Sequence, residues 1–145
     1  MAVALYMYSE YQTNFVTVNA GELVIVGPVE YIITFDGTNS GKKDTQPENT
    51  FVKIRIDAHN ISQELTTISG GQFHLVDENG KKHEAVYGEF SEEDLLIHNL
   101  DPGKSDSWTT QFDVSYDEKK QYNIIIRPSK EQSTVDTAMI CLTNC

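Results

Sequence analysis

The stretch Phe51-Val52-Lys53-Ile54-Arg55-Ile56-Asp57-Ala58-His59-Asn60 decides the fold class. Val52, Ile54, Ile56 and Ala58 alternate with Lys53, Arg55, Asp57 and His59. A strict two-residue period belongs to a strand with one face buried and the other wet. Further along, Trp108, Thr110, Phe112, Val114 and Tyr116 repeat the pattern against Thr109, Gln111, Asp113 and Ser115. Tyr122-Asn123-Ile124-Ile125-Ile126-Arg127 reads as a third strand, closed by Pro128. Residues 23–26 and 29–35 read as two more, broken at Gly27-Pro28, because proline donates nothing to a ladder. Residues 14–18 and 135–142 bring the expected total to seven to nine strands.

Phe73-His74-Leu75-Val76 and the run from Lys81 flank Asp77-Glu78-Asn79-Gly80, a hairpin signal with two solutions. A type I turn with Gly80 left-handed in a bulge sets Leu75 opposite His83, whereas a tight Asn-Gly turn sets Val76 there and His74 diagonal to His83. Helix is scarce. Ser91 precedes three acids and supports a turn or two before Leu100, and residues 64–68 are a second candidate. Neither builds a layer, so the expected fold is all-β: an antiparallel sandwich with at most one or two short helical turns.

A chain of 145 residues suits one domain. Only 39% of it is hydrophobic, but seven Tyr, six Phe and one Trp supply large core side chains. The formal charge is −11, and between Glu84 and Glu118 ten acids face a single Lys104. Such a surface repels phosphate backbones and anionic lipid headgroups, which argues against nucleic acid as a partner. The same charge suits solubility, or an acidic face that meets a basic partner.

Both ends bear on location. Ala2-Val3-Ala4-Leu5-Tyr6-Met7-Tyr8 is an apolar run of seven residues, against about twenty needed to cross a bilayer. Residues 1–13 therefore read either as the end of an N-terminal membrane anchor, whose rest would precede Met1, or as a flexible lead-in. Residues 14–145 form the single domain. Cys141 and Cys145 are the only cysteines. A disulfide between them requires a turn, which Thr143 and Asn144 permit, and implies an oxidising compartment. Free thiols, intermolecular pairing and a soft metal are the alternatives.

Three stretches together resemble a known family. They are the long strand ending at Asn60, the hairpin with Asp77 and Gly80, and Leu100-Asp101-Pro102-Gly103-Lys104 leading into Trp108. In that order and spacing they are similar to the telokin-like, immunoglobulin-like domain family of unknown function found in bacterial and archaeal lipoproteins and secreted proteins. The likeness spans roughly residues 15–128. It implies an immunoglobulin-like sandwich outside the cytoplasm, and that family brings no catalytic residues to carry over.

Enzyme motifs are missing: no Gly-x-Ser-x-Gly elbow, no phosphate-binding glycine loop and no His-Glu-x-x-His occur. No cofactor is expected. His74 and His83 are candidate copper or zinc ligands if the tight turn brings them to one face; otherwise they are surface histidines. Asn60-Ile61-Ser62 is an acceptor pattern for N-glycosylation at Asn60. Residues 36–49 form a long polar loop whose basic pair, Lys42-Lys43, makes it a candidate contact surface. The expected function is a non-enzymatic, extracytoplasmic binding or structural module of the cell envelope, contacting another cell-surface or secreted protein or copies of itself. The alternative is an extracytoplasmic copper- or zinc-binding protein.

Overall fold

In the computed structural model of the chain, the residues described are 16–40, 47–86, 93–128 and 138–145. The deciding stretch is strand β4 (Thr50–Asn60), and its alternation holds: Val52, Ile54, Ile56 and Ala58 face the core while Lys53, Arg55, Asp57 and His59 face outward. It pairs on one side with β3 (Val29–Asn39) and on the other with β9 (Ser105–Val114). Strand β2 (Leu23–Val26) adds to β3 through the Gly27-Pro28 turn, giving a four-stranded sheet in the order β2-β3-β4-β9.

The second sheet runs β1-β11-β10-β6-β7, from β1 (Val16–Asn19), β11 (Ala138–Thr143), β10 (Tyr122–Ile126), β6 (Phe73–Val76) and β7 (Lys82–Glu84). A small pair, β5 (Thr66–Ser69) with β8 (Ile97–Leu100), completes the strands. The eleven segments among the described residues exceed the expected seven to nine because β5 and β8, four residues each, lie outside the strands expected from the sequence. Among the described strands all pairs are antiparallel except β1 with β11, which run parallel. Residues 19–22 carry the chain from β1 in one sheet to β2 in the other, so the first strand enters beside the last.

The core lies between the sheets. Ile33, Ile54, Ile56 and Phe112 from one side meet Phe73, Leu75, Ile124 and Ile140 from the other, all fully buried. Tyr31 and Phe73 pack edge to face across the gap, with ring centroids 5.6 Å apart. Each such side chain contributes roughly 1.5–3 kcal/mol through burial. On β9 the outward Thr109 and Gln111 are buried too, unlike the expected alternation. The segment at 86 and 93–95 covers that edge, with Thr109 N donating to Glu93 O, Leu95 N to Thr109 O and Val86 N to Gln111 O.

The expected helical turns give way to other structure. Residues 66–69 are strand β5, since Thr66 and Ile68 turn inward. Of the turn expected before Leu100, residues 91–92 lie outside the described residues, and the residues at 93–95 bond to β9 instead of to each other. One short 3-10 turn, Gly70–Gln72, leads from β5 into β6. The polar loop is shorter than 36–49, because β3 continues through a bulge, with Gly37 at φ 98°, to Asn39. Lys42 and Lys43 lie outside the described residues, as do residues 1–13.

Candidate functional site

Strand alternation puts a second set of side chains on the outer face of the four-stranded sheet. Register aligns them in rows: Ile25, Glu30, His59 and Ser105 form one, and Leu23, Ile32, Asp57 and Ser107 the next. All of these but Ile25 line a cleft of about 490 Å³, open to solvent. Leu23 and Ile25 are each 51% exposed. Glu30 and Asp57 reach the cleft from the sheet, while Asp106, opposite the inward Ala58, accepts from Ser107 N. Of the basic residues of this face, Lys53 pairs with Asp36 at 3.8 Å, while Arg55 pairs with Glu93 at 2.8 Å and donates to Ser107 Oγ at 3.1 Å at the edge of the cleft. The Glu93 contact raises the Arg55 pKa and lowers that of Glu93.

Within the cleft His59 Nδ1 lies 2.6 Å from Ser105 Oγ. A hydroxyl against an imidazole is the raw material of a nucleophile and its base. β4 is an interior strand whose amides are used in ladders to both neighbours. Sequence reasoning marked His59 as outward but missed its pairing with Ser105, which depends on cross-strand register.

The hairpin adopts the bulged solution. Gly80 sits at φ 80°, Leu75 faces His83 and His74 faces Glu84. Neighbouring strand positions point to opposite faces, so His74, which is buried, and His83 do not converge. The candidate metal pair is thereby separated, and no group of three or more His, Cys, Asp or Glu side chains among the described residues could hold a metal ion. His83 serves the turn instead: its Nε2 lies 2.9 Å from Asp77 Oδ2, while Asp77 Oδ1 accepts from the amides of Asn79 and Lys81. The His83 hydrogen bond, helped by these amides, lowers the Asp77 pKa.

Asn60 does not present a glycosylation site in the folded domain. Its side chain is fully buried, and Nδ2 donates to Glu64 O at 2.8 Å and Leu100 O at 2.9 Å. Oδ1 accepts from Ser62 N and Oγ. The nitrogen that a glycan would need is thus occupied in joining three segments. Alternation had turned His59 outward, which leaves position 60 inward.

A disulfide links Cys141 and Cys145, whose Cα atoms are 5.8 Å apart. Asn144 makes the required turn at φ 55°, and its amide donates to Glu118 O and Lys120 O. Nearby, Tyr122 at the start of β10 donates its hydroxyl to Ser115 O and accepts from Asp117 N, at 3.0 and 2.8 Å. Burial raises its pKa, and burial pushes the Tyr31 hydroxyl up to about 12.

Comparison with known proteins places these features. The family described as domain of unknown function DUF4352 matches residues 18–136. No curated protein matches. Among solved structures, the yjhA protein of Bacillus subtilis is similar at TM-score 0.67 and 16% identity, over 86% of this chain and 98% of that one. The candidate lipoprotein ycdA of Bacillus subtilis gives 0.65 and 14%, over 86% of this chain, which spans only 39% of ycdA. The secreted protein MPT63 of Mycobacterium tuberculosis gives 0.60 and 10%, over 86% and 95%.

Proposed function

The chain belongs to the family described as domain of unknown function DUF4352, and on that premise we propose that it is a non-enzymatic, extracytoplasmic module of the cell envelope that contacts another surface or secreted protein. The observation that carries the contact role is the open face of the four-stranded sheet, where Leu23 and Ile25 are half exposed beside a cleft. Exposed apolar groups gathered at a concavity are a hallmark of interaction sites. Support for the compartment comes from the Cys141–Cys145 disulfide, a bond at home in oxidising surroundings. The names of two structural neighbours, a candidate lipoprotein and a secreted protein, point the same way. A tether through a segment N-terminal to the domain fits this reading.

An immunoglobulin-like arrangement within the sandwich is favoured by two features. Successive strands β4, β6, β9 and β10 alternate between the sheets, with β10 flanked by β6 and β11, as strands B, C, E and F do in that fold. Tyr122, at the start of the F-like strand, bonds back to the chain a few residues upstream in the manner of a tyrosine corner. The copper or zinc reading finds no such support once His74 and His83 are apart.

The test is to express the natural open reading frame in its own host and fractionate the cells, then treat intact cells with protease and with a membrane-impermeant cross-linker. Protease sensitivity and cross-linked partners on intact cells are expected. Recovery in the cytosol with reduced cysteines would overturn the reading.

A further inference from the structure

From the cleft on the outer face of the four-stranded sheet we infer that the partner presents a cationic polypeptide segment, a Lys or Arg beside an apolar residue, seated between Leu23, Ile32 and the carboxylates of Glu30 and Asp57. This rests on the envelope-module reading and gives its contact a chemistry.

Charge complementarity selects the occupant. Of the lining residues, Glu30 and Asp57 bring carboxylates to this face and His59 is the one basic side chain; Arg55, whose guanidinium reaches Ser107 at the edge of the cleft, is matched by Glu93 at 2.8 Å, and Lys53 pairs with Asp36. With a net charge of −11 over the whole chain, an anionic group would be repelled at long range as well as at contact. A bare cation would gain nothing from Leu23 and the neighbouring Ile25, whose exposed apolar surface calls for a ligand that is greasy beside its charge. Lysine and arginine meet both demands, since their stems bury along apolar surface while the head stays with the carboxylates. The volume of about 490 Å³ is at the scale of a pocket for a few side chains.

Other occupants fit less well. A second copy carries the same eleven excess negative charges and the same acidic cleft. The chain's own Lys42 and Lys43 belong to the connection that leaves β3 at Asn39 and enters β4 at Thr50. Glu30 is nine residues from Asn39 along β3, about 30 Å at strand rise, so that connection leaves the sheet at its opposite end.

The probe is a fluorescein-labelled, end-capped hexapeptide of alternating Lys and Leu, with a Glu–Leu hexapeptide as control. Fluorescence anisotropy is read at 20 mM and 500 mM NaCl. The Lys–Leu peptide is expected to bind at low salt and to weaken at high salt, and the Glu–Leu peptide not to bind. The pair Glu30→Gln with Asp57→Asn should weaken binding about fivefold, at two exposed ion pairs of roughly half a kcal/mol each. The charge-matched pair Glu78→Gln with Glu118→Gln should leave it within about twofold of the parent. Leu23→Ser should weaken it at both salt concentrations. Melting temperatures of all variants confirm that each is folded. Absence of Lys–Leu binding, equal binding of both peptides, or equal loss in the two charge-matched pairs overturns the inference. Those results leave surface location and cross-linking on intact cells untouched, whereas a cytosolic location overturns the envelope reading even if the cleft binds the peptide.

Discussion

Asn60 shows how one side chain can hold a corner of the sandwich. Its amide donates to Glu64 O and Leu100 O while its oxygen takes Ser62, in a site with no solvent exposure. Asn60→Ala would leave two carbonyls without these donors, and a buried group left unsatisfied costs about 1–3 kcal/mol. We expect the variant to lose about 2–4 kcal/mol in urea unfolding, with Asn60→Asp no better, since a carboxylate would face those carbonyl oxygens. Asp77 gives the pH counterpart. Its folded pKa lies below the ordinary 3.8, so the folded state binds fewer protons than the unfolded state and stability falls as acid is added. The contribution is in place above about pH 5 and drains as pH drops through the depressed value. Between pH 5 and pH 2 the parent should lose more unfolding free energy than Asp77→Asn, whose side chain has no proton to take up. An equal loss in both would show that Asp77 is not coupled to folding. Sequence placed both residues correctly at a strand end and a turn start, but not what they bond, because the partners at Leu100 and His83 are set by tertiary path and register.

Among the elements, strands were legible where they ran long or stood beside a clear turn signal, as the four-residue β2 and β6 do. The alternation in β4 and β9 ran far enough to name their inward faces, and both strands hold the core as expected, apart from the covered outer face of Thr109 and Gln111. Strand β5, read as a helical turn, has only four residues, two of them threonine, and its inward Thr66 and Ile68 carry too little pattern to separate a strand from a turn. The hairpin at Asp77–Gly80 was ambiguous for a physical reason: both turns satisfy its residues, and the packing of Phe73 and Leu75 on the core selects between them. The parallel entry of β1 beside β11 left no local mark at all. At that same edge, the disulfide closes a loop with a sequence separation of four. Chain-entropy reasoning for so short a loop gives about 2 kcal/mol. Reduction, or Cys141→Ser with Cys145→Ser, should therefore lower the melting temperature by several degrees and loosen first the amides of β11 and the turn at 117–120, where Asn144 is bound. Hydrogen exchange reads this directly. Uniform loosening across both sheets would contradict a local staple.

At the scale of the whole molecule, charge decides more than any single pair. Even if every one of the 11 basic residues matched one acid, 11 of the 22 carboxylates would remain over. Exposed pairs such as Lys53–Asp36 and Arg55–Glu93 contribute little, being open to solvent and to salt. Salt weakens those pairs and the general repulsion together, but the two have different reach. Pairs in contact act over a few ångströms, whereas repulsion among unmatched carboxylates spans the molecule and is cut sharply as the Debye length falls from about 30 Å at 0.01 M to about 8 Å at 0.15 M. The long-range term should dominate, so the melting temperature should rise by a few degrees over that interval at pH 7, and rise less near the isoelectric point of about 4.6, where the net charge vanishes. A fall in melting temperature at pH 7 would mean that local ion pairs outweigh the excess. The salt that steadies the fold would weaken a cationic partner at the cleft, so a binding curve and a melting curve taken over the same range should move in opposite directions, which a general effect of salt on folding cannot produce.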